Sequence, residues 1–361
     1  MKRLGIFVFY DLFGVVDDYK KVLLVSLNEI LDRLIIVCNG LLSEDGYDCF
    51  KKITKEIYLR DNEGYDAAAY RYVMLNVLGR KECERYDEIV MLNDTFYGPF
   101  SDWKVIFNQM RKRGNDFWGL AKGQEGGREF IQSYFRVFGK RLIQSDFFWR
   151  EWGNLELCKT YKECVIKFER GISWDIEENG YRCESWLDVN GGKQLQGKNV
   201  YREYSYRTLI GEYDFPVVKC KSLSVTNYNN TVESFDYIKN HTKYDINLIL
   251  KHQERLDDNC LISPYSEREV KEFLNTHAKI YIYGHGLLAN GLAEYFEAYG
   301  RNIEGFVVTK KKCPESTDIE LDDLVLEDED GVILAVGNIL APEIKTLLVS
   351  RFKEKQMLLP R

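Results

Sequence analysis

Short apolar runs alternate with segments of helical periodicity along the first half of the chain. Leu4–Tyr10 and Arg33–Asn39 are rich in apolar and β-branched residues, and Asp18–Leu31 between them places its apolar residues on one helical face. The alternation continues with apolar runs at Glu56–Leu59 and Glu88–Leu92. Strands that alternate with helices predict a mostly parallel sheet covered on both faces, so we expect an α/β fold.

The pattern changes in the middle of the chain and then restarts. Residues 222–276 are polar and helix-like, which predicts a helical connector between residues 1–221 and a small Rossmann-like α/β domain at residues 277–361. In the last part, a predicted strand at Ala278–Tyr283 leads through a glycine turn into a predicted helix at Leu287–Tyr299. Further predicted elements are strands at Asp116–Ala121 and Phe130–Phe138, and helices at Asp66–Leu78, Trp103–Arg113, Lys159–Asn179 and Pro342–Lys355.

The composition narrows the classes of function. The 361 residues include 50 Lys and Arg against 57 Asp and Glu, for a formal charge of -7, which makes a general nucleic-acid binder a poor candidate. The nine cysteines are odd in number and form no CxxC pair, so we expect reduced thiols and neither a zinc site nor a disulfide framework. No uncharged run approaches the roughly 18 apolar residues of a membrane helix. We therefore expect a cytoplasmic protein.

The positions of the histidines restrict the chemistry of the first domain. All four histidines lie beyond residue 240, at His241, His252, His277 and His285. A catalytic site within the larger first domain would therefore lack a histidine base, and Ser-His-Asp and Cys-His arrangements are excluded there. Carboxylates must then move the proton or hold a metal ion.

Polar residues follow three of the predicted strands of the first domain. Ligands of open α/β sheets bind beyond the carboxyl ends of the strands, where we expect Asn39, Asp66, Asn93 and Asp94. Asp94 follows a long apolar strand, and a carboxylate at such a place can hold a hard divalent cation against a phosphate. The alternative is structural: Asn93 and Asp94 cap the following turn, and Asp66 is an ordinary helix N-cap.

A second glycine motif lies in the C-terminal domain. Gly284, Gly286 and Ala289 are spaced as in a dinucleotide fingerprint that follows a strand and opens a helix. The next predicted strand ends before Thr309 and three lysines, where an acidic ribose ligand would be expected, and the domain is short for a complete Rossmann fold. Dinucleotide redox chemistry, a nucleotide-sugar or phosphate contact, and a structural or assembly role all stay open.

Several strings of the first domain resemble the rhamnan synthesis protein F family. The most specific is Leu92–Phe100, LNDTFYGPF, and Leu4–Asp11 and Asn62–Asp66 precede it in the family's order. Further matches are Asp116–Leu120, Gln132–Phe135, Phe215–Lys221 and Thr242–Ile246, so that the similarity covers about residues 3 to 255. The C-terminal part resembles the small Rossmann-like domains appended to surface-sugar enzymes.

The resemblance implies a glycosyltransferase with a GT-A-like nucleotide-sugar fold that serves the assembly of a cell-surface rhamnose polysaccharide and uses dTDP-L-rhamnose. Asp94 would hold the donor diphosphate through Mg²⁺ or Mn²⁺, although Asn93-Asp94-Thr95 departs from a full DxD motif. Lys219 and Lys221 are expected to meet the diphosphate, or else to be alternating lysines on a strand edge. The residues expected to bind the donor are Tyr10, Asn39, Asn62, Gly64, Asp66, Asn93, Trp118, Lys219 and Lys221.

An inverting transfer needs one base to deprotonate the acceptor hydroxyl. Glu169 stands where similar inverting transferases carry their acidic base motif, and it is the expected catalytic base. Asp94 is the second expected catalytic residue and acts on the donor side. Asp175 and Glu177 are nearby alternatives. The structural alternative is that Glu169 is a solvated carboxylate on a helix.

Three functions remain for comparison. The first is a transferase with a nucleotide-sugar donor and a glycan or lipid-linked glycan acceptor, at most peripheral at the inner face of the membrane. The second is a non-catalytic polysaccharide-assembly factor with a degenerate transferase domain, which the incomplete DxD motif favours. The third is an oxidoreductase that acts through the C-terminal domain. The sequence identifies neither the acceptor nor the oligomeric state.

Overall fold

The computed structural model describes residues 1–192, 204–257, 264–337 and 340–360. The chain forms two compact units, one of Met1–Lys219 with Thr242–Tyr244 and the other of Cys220–His241 with Asp245–Arg361. The predicted division into residues 1–221, 222–276 and 277–361 stays a prediction. Residues 258–263 of the predicted connector, with Cys260, lie outside the described residues.

Parallel strands form the centre of the first unit. Its strands are β1 (Arg3–Phe9), β2 (Arg33–Asn39), β3 (Glu56–Arg60), β4 (Glu88–Asn93), β5 (Phe96–Tyr97), β6 (Phe117–Gly119), β7 (Lys122–Glu125), β8 (Arg128–Ile131), β9 (Phe135–Gly139), β10 (Cys183–Ser185) and β11 (Val218–Lys219). Seven of them make one sheet in the order β10-β6-β9-β4-β1-β2-β3, in which β9 is antiparallel to both of its neighbours. The short strands β5 and β11 pair with each other, as do β7 and β8. The predicted α/β class is confirmed.

Along the chain, helices connect the strands of this sheet. The α-helices of the first unit are Asp18–Asn28, Glu44–Lys51, Tyr65–Tyr72, Arg80–Cys83, Trp103–Lys112, Lys140–Ile143, Asp146–Asn154, Tyr161–Cys164, Ile172–Glu178, Trp186–Val189 and Tyr206–Gly211. Two π-helical segments, Val73–Leu78 and Val165–Gly171, continue or join α-helices, so that residues 65–78 and 161–178 are each one unbroken helix. None of the described helices is long and apolar enough to cross a lipid bilayer.

The second unit has a wholly parallel sheet. Its strands are β12 (Ile280–Tyr283), β13 (Gly305–Val308), β14 (Ile319–Glu320), β15 (Gly331–Leu334) and β16 (Met357–Leu358), in the order β14-β13-β12-β15-β16. The α-helices are Tyr228–His241, Asn247–Asp257, Glu267–Thr276, Leu287–Ala298 and Ala341–Val349, and the 3-10 helices are Cys220–Ser222, Val225–Asn227, Leu321–Asp323 and Glu354–Gln356. The first strand in the chain is central, and the chain crosses from it to both sides of the sheet.

Two predicted elements are wrong in extent. The apolar run Phe130–Phe138 is not one strand, because the chain turns away between β8 and β9 and the Gln132 N–H group bonds back to the Ala121 carbonyl at 3.1 Å. The predicted helix Pro342–Lys355 ends earlier, at Val349. The turn between β8 and β9 brings polar residues to the edge of the sheet where the candidate site lies.

Candidate active site

The carboxyl ends of four neighbouring parallel strands meet at one edge of the seven-stranded sheet. β1 pairs with β2 and β4, and β2 pairs with β3, all in parallel. Tyr10, Asn39 and Asp94 follow or end these strands, and the Tyr10 N–H group donates to Asp94 Oδ2 at 3.2 Å. Asn39 is buried and its side-chain amide donates to the Tyr65 carbonyl at 3.2 Å. The sheet therefore gathers several of the predicted donor-binding residues.

Asp94 is a nearly buried carboxylate with a lysine beside it. Its exposure is 9%, and the Lys20 ammonium lies 3.9 Å from Asp94 Oδ2. Burial raises the pKa of Asp94 to about 6, while Lys20 and the Tyr10 N–H group oppose the rise. The Tyr19 hydroxyl donates to the Asp94 carbonyl at 2.9 Å and so fixes the main chain there. Asp94 is thus mostly ionised at neutral pH and loses its charge in mild acid.

Lys20 is a residue of the site that was not predicted from the sequence. It is 1% exposed, and its ammonium lies 3.0 Å from Asp17 Oδ2 and 5.3 Å and 4.8 Å from the centres of the Phe9 and Tyr19 rings. A signal was present, since Lys20 occupies the apolar face of its helix. The buried positions of that helix are Tyr19, Lys20, Leu23, Leu24 and Leu27. A lysine at an apolar position of a helix that precedes a candidate site is a detectable pattern.

Hydrogen bonds link Asp66, Asn93, Thr95 and Lys219 into one chain. The Asn93 amide donates to Asp66 Oδ2 at 3.0 Å, and the Thr95 hydroxyl donates to Asn93 Oδ1 at 2.7 Å. The Lys219 ammonium donates to the Thr95 hydroxyl at 2.6 Å and lies 4.1 Å from the centre of the Tyr134 ring. Residues from three separate segments of the chain therefore meet at the sheet edge. The roles of Thr95 and Tyr134 in this contact were not visible in the sequence.

Glu169 lies at the same edge of the sheet, on the π-helical segment Val165–Gly171. Its Oε2 atom accepts from the N–H group of Ser133 at 2.8 Å and from the Ser133 hydroxyl at 2.5 Å. The next residue, Tyr134, accepts the Asn93 N–H group at 3.1 Å. The side chain of Glu169 is half-buried. Two residues of the β8–β9 connection thus bring the predicted base beside the predicted donor site.

Asp66, Asp94 and Glu169 affect the pKa values of two nearby tyrosines. The charges of Glu169 and Asp66 add to burial in raising the pKa of Tyr161. Burial is the largest cause that raises the pKa of Tyr70. The charge of Asp66 raises it further, and that of Asp94 does so more weakly. Asp66 thus acts on the pKa of both tyrosines, together with Glu169 at Tyr161 and with Asp94 at Tyr70.

Gly64 shapes the start of the helix that carries Asp66. Its φ is +72°, and a Cβ atom there would lie 2.7 Å from Ala68 Cβ and 2.7 Å from Leu157 Cδ2. Gly64 is itself the N-cap of the helix that begins at Tyr65, with no side-chain hydrogen bond. The structural alternative for Asp66, an ordinary N-cap, is therefore wrong, and its carboxylate bonds to Asn93.

Three predicted donor-binding residues do not take part in the hydrogen bonds described above. Trp118 is 2% exposed and packs against the rings of Phe107 and Phe135, so it does not line an open pocket. Lys221 is exposed on a 3-10 turn of the second unit. Asn62 is exposed on the loop after β3, and its Cβ atom and the Tyr10 ring each lie 3.9 Å from where a Cβ atom of Gly40 would stand, so Asn62 borders the cluster. Trp118 in particular is explained by core packing.

The residues at the edge fit a divalent cation only together with a diphosphate. Within the described ranges, no group of three or more His, Cys, Asp or Glu side chains could hold a metal ion. The side-chain oxygen Oδ1 of Asn93 already accepts the Thr95 hydroxyl, so within Asn93-Asp94-Thr95 only Asp94 offers a carboxylate. Mg²⁺ commonly takes one or two carboxylates, several waters and the phosphates of a substrate. One aspartate is therefore sufficient when the donor supplies the remaining oxygens.

The glycine turn of the second unit packs closely on the neighbouring strand. Gly284 has a φ of +111°, and a Cβ atom there would lie 2.5 Å from the Ala335 carbonyl oxygen. Ala289 is fully buried, and Gly286 is the N-cap of the helix Leu287–Ala298 with open space around it. Close packing thus explains Gly284 and Ala289 without a ligand.

His285 within this turn is held by its neighbours. Its Nδ1 atom lies 2.6 Å from Asp318 Oδ1, and its ring stacks on Phe306 at 3.9 Å. Beyond β13, the Thr309 hydroxyl bonds to the Tyr283 hydroxyl at 2.5 Å. A hydroxyl group stands there, where the dinucleotide fingerprint would place an acid.

A family model described as rhamnan synthesis protein F matches residues 34–318, well over half of the chain, which confirms the resemblance. No curated protein matches significantly.

Three similar solved structures have low sequence identity. Mouse xyloside xylosyltransferase 1 is 11% identical, covers 59% of this chain and 93% of its own, and has a TM-score of 0.32. Core-mannan synthase A from Aspergillus fumigatus, in a Mn/GDP form, is 9% identical over 51% of this chain and 73% of its own, with a TM-score of 0.29. The 4-diphosphocytidyl-2C-methyl-D-erythritol synthase from Anaerococcus prevotii is 11% identical over 51% of this chain and 88% of its own, with a TM-score of 0.28.

Proposed function

The chain belongs to the rhamnan synthesis protein F family, and we propose that it is an inverting glycosyltransferase. The proposed donor is dTDP-L-rhamnose, and the acceptor is a glycan or lipid-linked glycan of a surface polysaccharide. The observation that supports this best is the meeting of Asp94, Asp66 and Glu169 at the carboxyl edge of one sheet. We place the reaction in the cytoplasm, at most peripherally at the inner face of the membrane.

On the donor side, the proposal assigns the diphosphate to Asp94 and Lys219. A divalent cation, Mg²⁺ or Mn²⁺, would be held by Asp94 and the diphosphate oxygens, and it would neutralise the charge of the leaving group. Lys219 is half-buried, and its ammonium group already lies against Thr95 and the Tyr134 ring. A charged donor at this place can bond to a phosphate oxygen.

On the acceptor side, Glu169 is the proposed base. Ser133 holds one carboxylate oxygen by two hydrogen bonds, at 2.8 Å and 2.5 Å, and thereby orients the group. The other oxygen then takes the proton of the acceptor hydroxyl, as that hydroxyl attacks the anomeric carbon from the face opposite the diphosphate. The nucleoside diphosphate leaves, and the configuration at the anomeric carbon is inverted.

The test is a donor screen with the purified chain. Nucleoside diphosphate release from dTDP-L-rhamnose and several UDP-sugars is measured with Mg²⁺, with Mn²⁺ and with a chelator. We expect release from dTDP-L-rhamnose, faster with either metal. Absence of both release and nucleotide binding with every donor would contradict the proposal.

The Glu169→Gln variant tests the proposed base. We expect nucleotide binding within about twofold of the wild type and a turnover at least about a hundredfold lower, because the amide cannot accept the proton. Asp175→Asn on the same helix, which changes one of the alternative acids, is the matched control and should keep most of the rate. Unchanged turnover in Glu169→Gln, or a comparable loss in Asp175→Asn, would remove Glu169 from the mechanism.

A second candidate is a non-catalytic assembly factor of the same polysaccharide. The observation that favours it is the Asn93 side chain, which stands in the DxD position and is committed to Asp66 and Thr95. Nucleotide binding without any release, in the presence of glycan acceptors, is the outcome expected for this alternative.

A further inference from the structure

Arg136 is a fully buried cation directly behind Glu169. It lies on β9 with an exposure of 0%. Its guanidinium donates to the carbonyls of Ile131 and Glu169, each at 2.6 Å, and to the carbonyl of Phe168 at 3.1 Å. Burial of a charge is costly unless the surroundings compensate for it. Because burial of this charge costs free energy, we ask which function Arg136 performs next to the proposed base.

The helix that carries Glu169 needs a partner at this point. The π-helical segment Val165–Gly171 lies within residues 161–178, and π turns are rare and expensive relative to an α-helix. Buried main-chain carbonyls require hydrogen-bond donors. Arg136 donates to two successive carbonyls of the π-helical segment, and the Ser173 hydroxyl donates to the Glu169 carbonyl at 2.9 Å. The guanidinium thus satisfies two main-chain carbonyls of the π-helical segment.

The surroundings of Arg136 also affect the protonation of its guanidinium. Burial lowers the pKa of Arg136 to about 10, against the opposing charges of Glu169 and Asp66, so the guanidinium is protonated at neutral pH. Its carbon centre lies 4.9 Å from the centre of the Phe168 ring, which in turn stacks on Tyr70 at 5.8 Å. The cation thus contacts the segment that carries the base and lies within the field of both acids.

We propose that Arg136 is a positioning residue for the transfer reaction. It holds the π-helical segment against β8 and β9, so that the carboxylate of Glu169 stays bonded to Ser133 and its second oxygen faces the acceptor. This inference rests on the proposed function of Glu169. The competing explanation is that Arg136 stabilises the fold and has no effect on the geometry of the base.

The kinetic test compares Arg136→Gln and Arg136→Lys with Val137→Ala. Val137 is the next residue of the same strand and is also 0% exposed, and successive strand residues point to opposite faces of a sheet, so its truncation lowers stability on the face opposite to Arg136. For Arg136→Gln we expect a kcat lower by at least about tenfold with a donor KM within about twofold. Arg136→Lys, which keeps the charge, should recover part of the loss. Val137→Ala should lower the unfolding temperature and keep kcat.

A second measurement separates this inference from the function itself. Amide hydrogen exchange of residues 165–171 should be faster in Arg136→Gln than in the wild type, while exchange of the helix Asp18–Asn28 stays the same. If the wild type shows no transfer or hydrolysis, the proposed function fails and exchange alone decides the positioning role. Should Arg136→Gln not fold, Ser173→Ala removes one bond to the same carbonyl and should show the same changes at smaller size. Unchanged exchange at residues 165–171, or a kcat loss equal to that of Val137→Ala, overturns the inference.

Discussion

Asp94 shows how burial changes the acidity of a functional carboxylate. Its folded pKa of about 6 lies above the ordinary value of 3.8, because desolvation outweighs the nearby Lys20. The folded state therefore binds more protons than the unfolded state between these two values. By linkage, the stability that protonated Asp94 contributes is complete below the unfolded pKa and is lost as the pH rises through the folded pKa.

A pH series on Asp94→Asn tests this assignment. Between pH 5 and pH 7 we expect the wild type to lose about 1 kcal/mol of stability through Asp94 alone, since one pKa unit corresponds to about 1.4 kcal/mol. Asp94→Asn lacks this titration, so the difference in unfolding free energy between variant and wild type should move in favour of the variant over that range. Denaturant unfolding at both pH values measures it, and a difference that stays constant with pH contradicts the raised pKa.

At the scale of elements, the parallel strands were the most predictable part of the site. Apolar runs placed β1, β2 and β4 in the chain, and parallel pairing alone then brings Asn39, Asn93 and Asp94 to one edge. The contacts that complete the site, such as that of Ser133 with Glu169, were not predictable. They join residues far apart in sequence, and the turn that presents Ser133 interrupts an apolar run that reads as one strand.

Gly64, at the start of the helix that begins at Tyr65, is a position where an added side chain should lower stability. It combines a φ of +72° with two neighbouring carbon atoms 2.7 Å from any added Cβ atom, whereas Gly114 has a φ of +70° and nothing within 4 Å. Gly114→Ala should therefore cost about 1 kcal/mol from backbone strain alone. Gly64→Ala should cost more, about 2–3 kcal/mol, because crowding adds to the strain.

The two glycine variants are compared by denaturant unfolding and by nucleotide binding. Gly64→Ala should also weaken binding, since the start of its helix carries Asp66, and Gly114→Ala should leave binding unchanged. Equal unfolding costs in the two variants would show that the contacts with Ala68 and Leu157 relax freely. In that case the need for glycine at position 64 would be conformational only.

At the scale of the whole molecule, the two units differ in whether their polar groups and glycines indicate a ligand site. In the first, polar groups from the ends of β1 and β4, from the β8–β9 connection and from the helix of residues 161–178 converge at one edge. In the second, the glycine turn is explained by its packing on Ala335. The spacing of glycines in the sequence could not separate a ligand loop from a packing turn, because both need a residue without a side chain.

This division gives a test at two neighbouring lysines. Lys219 belongs to the first unit and bonds to Thr95 at 2.6 Å, whereas Lys221 belongs to the second and is exposed. If the first unit binds the donor, Lys219→Ala should lower the affinity for dTDP about tenfold, in keeping with about 1.5 kcal/mol for a hydrogen bond to a charged group. Lys221→Ala removes the same charge two residues away and should stay within about twofold in calorimetry. Equal losses of affinity in the two variants would mean that only the summed positive charge of this segment attracts the diphosphate. The contact of Lys219 with Thr95 would then have no part in binding.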